Sequence, residues 1–309
     1  CTLDLPGAAL AQVQASLAPG ADGRPQLQLQ AARVTVPALG WKDVALSLSG
    51  TPQRAGANTW QLVGTLALAH APGNALAGAQ VSMLIDTDAG SLDLTLSQRD
   101  ASLRALMPLD QPSHVQLSLK GLPLAWLQGV LANAWAAGRA TGGTLDGEVA
   151  LDIAPPGARI SGRIGLSDGA FDSRSGTLAG QQLAARGTFH LDTTAPDARM
   201  DFDGALSGGQ LLLGSLYAQL PKHSATLQFS ASACARGISI AALHYEDGDA
   251  LDVDGKLDFD AQQDLTAFDF TRLDARLPDA YTRYGSAWLA TLGWKDLATA
   301  GRLSGSIGM

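Results

Sequence analysis

Residues 251–261 read LDVDGKLDFDA. Leu251, Val253, Leu257 and Phe259 fall on one side of an extended chain, and Asp252, Asp254, Asp258 and Asp260 on the other. Successive side chains of a strand point to opposite faces, so this stretch specifies a strand with one apolar and one wet face. A helical period would scatter both sets around the axis. The same alternation recurs through the chain. It appears at 26–30 (QLQLQ) and 44–49 (VALSLS), and it puts Leu62, Leu66 and Leu68 on one face. Leu92, Leu94 and Leu96 share a face, as do Val115, Leu117 and Leu119. Leu145, Gly147, Val149, Leu151 and Ile153 follow, then Ile160 with Ile164 and Leu166, Phe189 with Leu191, Met200 with Phe202, and Leu227 with Phe229. The opposite positions carry Gln, Ser, Thr, Asp and Ala, which describes a sheet dry on one side and hydrated on the other.

The punctuation favours antiparallel connections. Turn residues cluster at 19–23 (PGADG), 71–74 (APGN), 155–157 (PPG) and 246–249 (EDGD). Helical periods between strands are too few for a doubly wound fold. Two segments do read as helices. Residues 122–137 (LPLAWLQGVLANAWAA) place Leu124, Leu127, Leu131 and Trp135 at helical spacing, and 278–292 (PDAYTRYGSAWLATL) do the same with Tyr281, Tyr284, Trp288 and Leu292. Pro123 and Pro278 stand near the starts, where a missing N–H is harmless. Residues 100–107 (DASLRALM), stopped by Pro108, read as a shorter helix. The expected fold is mainly β: a long curled antiparallel sheet with an apolar, β-taco-like groove and two or three short helices.

The chain has 309 residues, 35 of them Gly, with 46% hydrophobic and 16% charged residues and a formal charge of −8. No basic cluster offsets that acidity, which excludes nucleic acid bound through its phosphates. The missing heptads exclude a coiled coil, the missing three-residue glycine period excludes collagen, and the hydrophobic content excludes global disorder. No window of 18 apolar residues could span a membrane as a helix, and 122–137 carries Gln128 and Asn133, so it reads as a packed or interfacial helix. The first residue is Cys1, and the last residues, Gly308 and Met309, fall inside a strand pattern; the expectation is a mature or excised segment of a longer chain. Cys1 and Cys234 form a disulfide, or remain thiols, or Cys1 carries a lipid; spacing alone does not choose.

Catalytic patterns are missing. There is no G-x-S-x-G, H-E-x-x-H, C-x-x-C or P-loop. His70, His114, His190, His223 and His244 are dispersed, with no pair at metal-ligand spacing, and read as surface or hydrogen-bonding groups. The acidic run Asp247 to Asp260 does not make a calcium loop, because Lys256 stands where an acid is needed two residues after Asp254. It reads as a polar turn followed by a solvated strand face. Trp126, Trp135 and Trp288 sit in apolar helical patterns, suited to packing rather than to a sugar platform. No enzyme activity, catalytic residue, metal or cofactor is expected.

What remains is apolar surface without chemistry. The stripes line either a closed barrel or sandwich core, or an open trough; an open apolar trough would bind acyl chains. The candidate lining residues are Leu94, Leu96, Leu117, Leu119, Val149, Leu151, Val253 and Leu257.

A weak internal repeat accompanies the helices. Gly143, Leu145, Gly147 and Val149 after the first match Gly301, Leu303, Gly305 and Ile307 after the second, and 39–44 (LGWKDV) echoes 292–297 (LGWKDL). Repeated strand–helix–strand modules are placed at 114–153 and 268–308 within one elongated segment, 1–309. On these modules, and on glycine-bearing strands such as 251–261, the chain resembles the AsmA-like superfamily of bacterial envelope proteins, and its YdbH branch above all. The resemblance implies a curled sheet that carries phospholipids along a groove, within a longer periplasmic chain anchored in the inner membrane. It implies phospholipids as cargo, inner- and outer-membrane proteins as partners of the parent chain, and no catalysis. The competing readings are an envelope scaffold or assembly factor with an ordinary buried β core, and a repetitive β adhesin.

Overall fold

The computed structural model describes residues 2–5, 8–20, 23–135, 137–154, 156–214, 216–248, 250–262, 264–294 and 297–308. The chain is mainly β and antiparallel, and divides into two compact units: Cys1–Asn133 with Leu145–Ile160, and Ala134–Thr144 with Ser161–Met309.

In the first unit, nine strands form a meander. They are β1 (Thr2–Leu5), β2 (Ala8–Pro19), β3 (Pro25–Val36), β4 (Trp41–Arg54), β5 (Thr59–Ala69), β6 (Ala79–Asp86), β7 (Ser91–Gln98), β8 (Ala101–Pro108) and β9 (His114–Pro123). Each pairs antiparallel with the next. After β9 the chain turns through a 3-10 segment, Leu124–Leu127, into α1 (Gln128–Ala134). Strands β10 (Gly138–Ala154) and β11 (Gly157–Ser173) have residues in both units. Within the first, β10 pairs with β9: the Ile153 N–H donates to the Ser113 carbonyl at 2.8 Å and the Ser118 hydroxyl to Glu148 at 2.7 Å.

The second unit holds β12 (Leu178–Asp192), β13 (Ala198–Ser207), β14 (Gln210–Leu213), β15 (Leu216–Gln219), β16 (Ala225–Cys234), β17 (Gly237–Asp247), β18 (Leu251–Asp260), β19 (Leu265–Arg276) and β20 (Arg302–Gly308). The short hairpin of β14 and β15 pairs with the start of β12, so β13 finds its second neighbour in β16. From β16 to β20 the order is sequential. Between β19 and β20 lies one helical segment: α2 (Leu277–Ala280), a π turn (Tyr281–Gly285) and α3 (Ser286–Thr291). All these strands belong to one antiparallel sheet, which among the described residues does not close into a barrel.

The two expected helices are present. The third is not: residues 101–108 form β8, paired on both sides by β7 and β9. The reason is a two-residue turn at Arg99 and Asp100, with Arg99 at φ +55°, which folds Ala101 back onto Gln98. Ser102, Leu103, Arg104 and Ala105 then alternate in ladder register, and sheet pairing outweighs a weak helical preference. Pro108 ends a strand here, not a helix.

A core explains why the first meander is stable. Ala31, Val34, Val44, Leu68, Ala79 and Val81 are buried together with Ala71, Ala75 and Leu76 of the β5–β6 connection, and Trp126 packs against the same cluster. Burying one such aliphatic side chain contributes roughly 1.5–3 kcal/mol.

Candidate functional site

The apolar stripes align across strands. In the first unit Leu96 lies across from Val81 and Leu103, and Leu103 from Leu119. One step along, Leu94 lies across from Met83 and Ala105, and Ala105 from Leu117. On β10, Glu148 and Asp152 face the hydrophilic partners Ser118 and His114, so Val149 and Leu151 fall on the apolar side. These six candidates therefore share one face of the first unit. Burial along that face is uneven, and Leu62, next to Trp60 on the face, is only 4% exposed. Val44 is fully buried at one end, whereas Trp60, in the row of Ile85, Leu92 and Met107 at the other, is 52% exposed.

In the second unit Val253 lies across from Tyr245 and Leu273, and Leu257 across from Ile240 and Phe268. Both are buried. The row between them adds Phe202 stacked on Phe229 with ring centroids 5.6 Å apart, and its Phe270 lies 5.2 Å from Phe268.

The hydrophilic face is as ordered as the apolar one. Thr188, Asp203, Gln228, His244, Asp254 and Arg272 form one cross-strand row over β12, β13, β16, β17, β18 and β19. Gln228 donates to Asp203 at 3.1 Å, Ser230 to Asp201 at 2.5 Å, and His244 bonds Asp254 at 2.7 Å. A concavity of about 720 Å³ is lined by Thr188, Asp203, Gln228, His244 and Asp254 of this row, by the parallel row of His190, Asp201, Ser230, Ala242 and Lys256, and by the single apolar row between them. The next apolar rows take no part in it, so the hollow lies on the hydrophilic face with the middle row's backbone as floor. His190 is exposed, as its alternation with Phe189 and Leu191 implies.

His244, Asp252 and Asp254 bring ligand-type atoms within 4.8 Å of one another. That donor set is of the kind that holds a first-row divalent ion. Arg272 already engages both carboxylates, Asp252 at 2.5 Å and Asp254 at 3.6 Å, and His244 takes the other oxygen of Asp254, so ion pairing accounts for most of the cluster; the second oxygen of Asp252 is buried without a hydrogen-bond partner.

One acid departs from its expected place. Asp247, read from sequence as part of a polar turn, is 1% exposed. Its carboxylate receives the Arg283 guanidinium at 2.5 Å, the Tyr284 hydroxyl at 2.6 Å and His223 Nε2 at 2.7 Å. Tyr284 and Tyr245 meet hydroxyl to hydroxyl at 2.8 Å with rings edge to face. Burial pushes the Tyr245 phenol up to about 12, and the nearby Asp247 charge adds to that. Tyr284 is raised further, by burial and then by donating to Asp247. Beside the same carboxylate, Arg283 is held still more firmly protonated. The sequence carried a signal for this cluster. Asp247 has the parity of Tyr245 and lies opposite Leu251, an acid on the apolar side of its strand.

Trp288 falls within α3 but its side chain lies outside the described residues, as do Cys1, Lys295 and Asp296. Cys234 ends β16 half-buried with a free thiol. No helix of the described residues is long and apolar enough to cross a membrane. No family model, no curated protein and no solved structure matches this chain.

Proposed function

We propose that the chain is a non-enzymatic lipid-binding segment whose apolar faces carry phospholipid acyl chains, as part of a longer periplasmic bridge. The observation that carries the reading is the alignment of Leu94, Leu96, Leu117 and Leu119 into rows with no converging polar group. A hydrocarbon tail needs continuous apolar contact and little directional bonding. The resemblance to AsmA-like envelope proteins supports the same assignment and supplies the periplasm, an inner-membrane anchor in the parent chain, and membrane proteins as its partners.

A scaffold of the envelope is the second reading. It is favoured by the core in which Ala75, Leu76 and Trp126 of the chain itself cover part of the apolar face. Photo-crosslinking in bacterial cells separates the two. A light-activated residue at Leu119 or Val253 is expected to capture phospholipid, and the same residue at Asp254 is not. Equal capture on both faces, or none at Leu119 and Val253 in a folded protein, overturns the lipid reading and leaves the scaffold.

A further inference from the structure

The helical segment between β19 and β20 lies over the apolar face of the second unit. Tyr284 meets Tyr245 there, with ring centroids 6.1 Å apart, and Tyr245 shares its row with Leu227 and Val253. Asp247 stands two residues further along the same face. The polar contacts of Arg283 and Tyr284 with the sheet converge on that one carboxylate and on Tyr245. Arg283 and Tyr284 both lie in the π turn Tyr281–Gly285. The segment's first residues are fixed separately. The Leu277 N–H donates to the Gly301 carbonyl at 3.0 Å, and the Thr299 hydroxyl to the Leu277 carbonyl at 3.2 Å. At the far end α3 stops at Gly293, whose φ of +89° is open to glycine and strained for other residues.

We propose that residues 277–291 form a hinged strap that closes an acyl-chain site over Leu227, Tyr245 and Val253, with Asp247 as its latch. The proposal rests on reading the apolar face as a lipid groove. Val253 is 7% exposed, and its cross-strand neighbour Tyr245 carries the Tyr284 ring of the segment, so withdrawing Tyr284 uncovers the Tyr245 side of the row to a hydrocarbon tail. The π turn and α3 also pack against β15, so opening parts that contact as well as the latch, and the latch itself is weak because a buried ion pair repays little beyond its own desolvation. The latch donors border water: the side chains of Arg283 and His223 are 29% and 54% exposed. They rehydrate readily when the strap lifts, which keeps the closed state reversible. The pivot is at Leu277, and the body that moves carries Arg283 and Tyr284 away from Asp247.

The test uses the whole chain with Cys1→Ser and Cys234→Ser, and palmitate bearing a diazirine as probe. Tyr245→Cys with Tyr284→Cys, joined by a short bis-maleimide, locks the strap. The lock is expected to lower labelling of the β18 peptide several-fold against the same protein left unlinked. Asp247→Asn and Arg283→Gln are expected to raise that labelling and to speed hydrogen exchange of 277–291 while β18 stays protected. Unchanged labelling in the locked protein overturns the strap but not the lipid groove. Exchange that rises equally across β16 to β19 and the segment, or does not rise at all, also overturns it, since the segment is then a fixed part of the sheet's core. Absence of labelling at every peptide, including that of Leu119, overturns the groove itself.

Discussion

The two units cap an apolar sheet face in opposite ways. In the first, the helical segment after β9 is held by close backbone contact. A Cβ on Gly129 would stand 1.9 Å from the Leu39 carbonyl oxygen, and one on Gly73, at φ +65°, 1.7 Å from that of Ala125. Trp126 of the same segment packs into the core. In the second, the segment before β20 is held by a buried carboxylate with three donors and a tyrosine pair. Dry, close contact spreads its contribution over many atoms and fails by steric intrusion. A charge-centred contact concentrates it in one group and fails when one partner is removed. The same architectural job is therefore done by one cap seated on backbone contact and by one, also packed on β15, whose polar contacts centre on a single carboxylate.

The largest effect expected from breaking this contrast is at Asp247. Asp247→Ala leaves the Arg283 guanidinium and the Tyr284 hydroxyl without their acceptor. The Arg283 side chain is 29% exposed and can rehydrate, so the loss is mainly that of leaving the Tyr284 hydroxyl unsatisfied and losing a charge-assisted bond, about 1–3 kcal/mol. A urea melt should show that loss, and a change under about 1 kcal/mol would mean the carboxylate is not the holding group. In the first unit the matching probe is Gly129→Ala. In an open helix this change stabilises by roughly 0.5–1 kcal/mol. Here the added methyl meets backbone that cannot swing aside, and a destabilisation of about 1–3 kcal/mol is expected. The sign of the change in the melt midpoint decides the matter.

Alkali sharpens the comparison further. Tyr245 titrates in the folded chain near 12, against about 10 for a free phenol. Its pKa is raised on folding, so the stability it contributes is complete below pH 10 and is lost as the pH climbs through 12. Tyr284 is shifted the same way. Stability should fall over that window, and Tyr245→Phe should flatten the fall. A slope identical in wild type and variant would place the tyrosine pair in water. Among the described residues of the first unit's cap, the contacts described involve no tyrosine, so melting of that cap is expected to be insensitive over the same range.

Much of this fold was legible because strand patterning is local. Leu251, Val253, Leu257 and Phe259 declare their face without reference to any other residue, and so do Leu94, Leu96, Leu117 and Leu119. The helical segments were legible through the spacing of Leu124, Leu127, Tyr281 and Tyr284. The misplaced element was residues 101–108, where the deciding contacts are with β7 and β9 and the local signal was a single turn. Asp247 was misplaced for a related reason. Within its run it is one of several acids, and only partners 24 to 37 positions away in sequence make it a buried one. The hydrophilic hollow was equally hidden, since alternation says which residues are wet but not that six strands bring them into a concave surface.

The smallest effect is expected on that hydrophilic face, one residue from the buried Val253. Asp254 is paired to His244 at 2.7 Å and to Arg272 at 3.6 Å, yet its side chain is 37% exposed and the Arg272 side chain 57%. Exposed ion pairs contribute between zero and about 1 kcal/mol, because water and salt screen them and ordering two long side chains costs entropy. Asp254→Ser should therefore lower stability by less than about 1 kcal/mol, and the difference should shrink as salt is raised. Arg272 keeps Asp252 as its nearer partner, at 2.5 Å, so no buried charge is stranded. The same melt on Asp247→Ala should retain most of its loss in high salt, since that carboxylate is shielded from counterions. Two aspartates seven residues apart on neighbouring strands would then differ several-fold in cost. If Asp254→Ser instead proves as costly as Asp247→Ala, the hollow is as tightly built as the latch, and strand parity does not separate structural acids from hydrated ones in this protein.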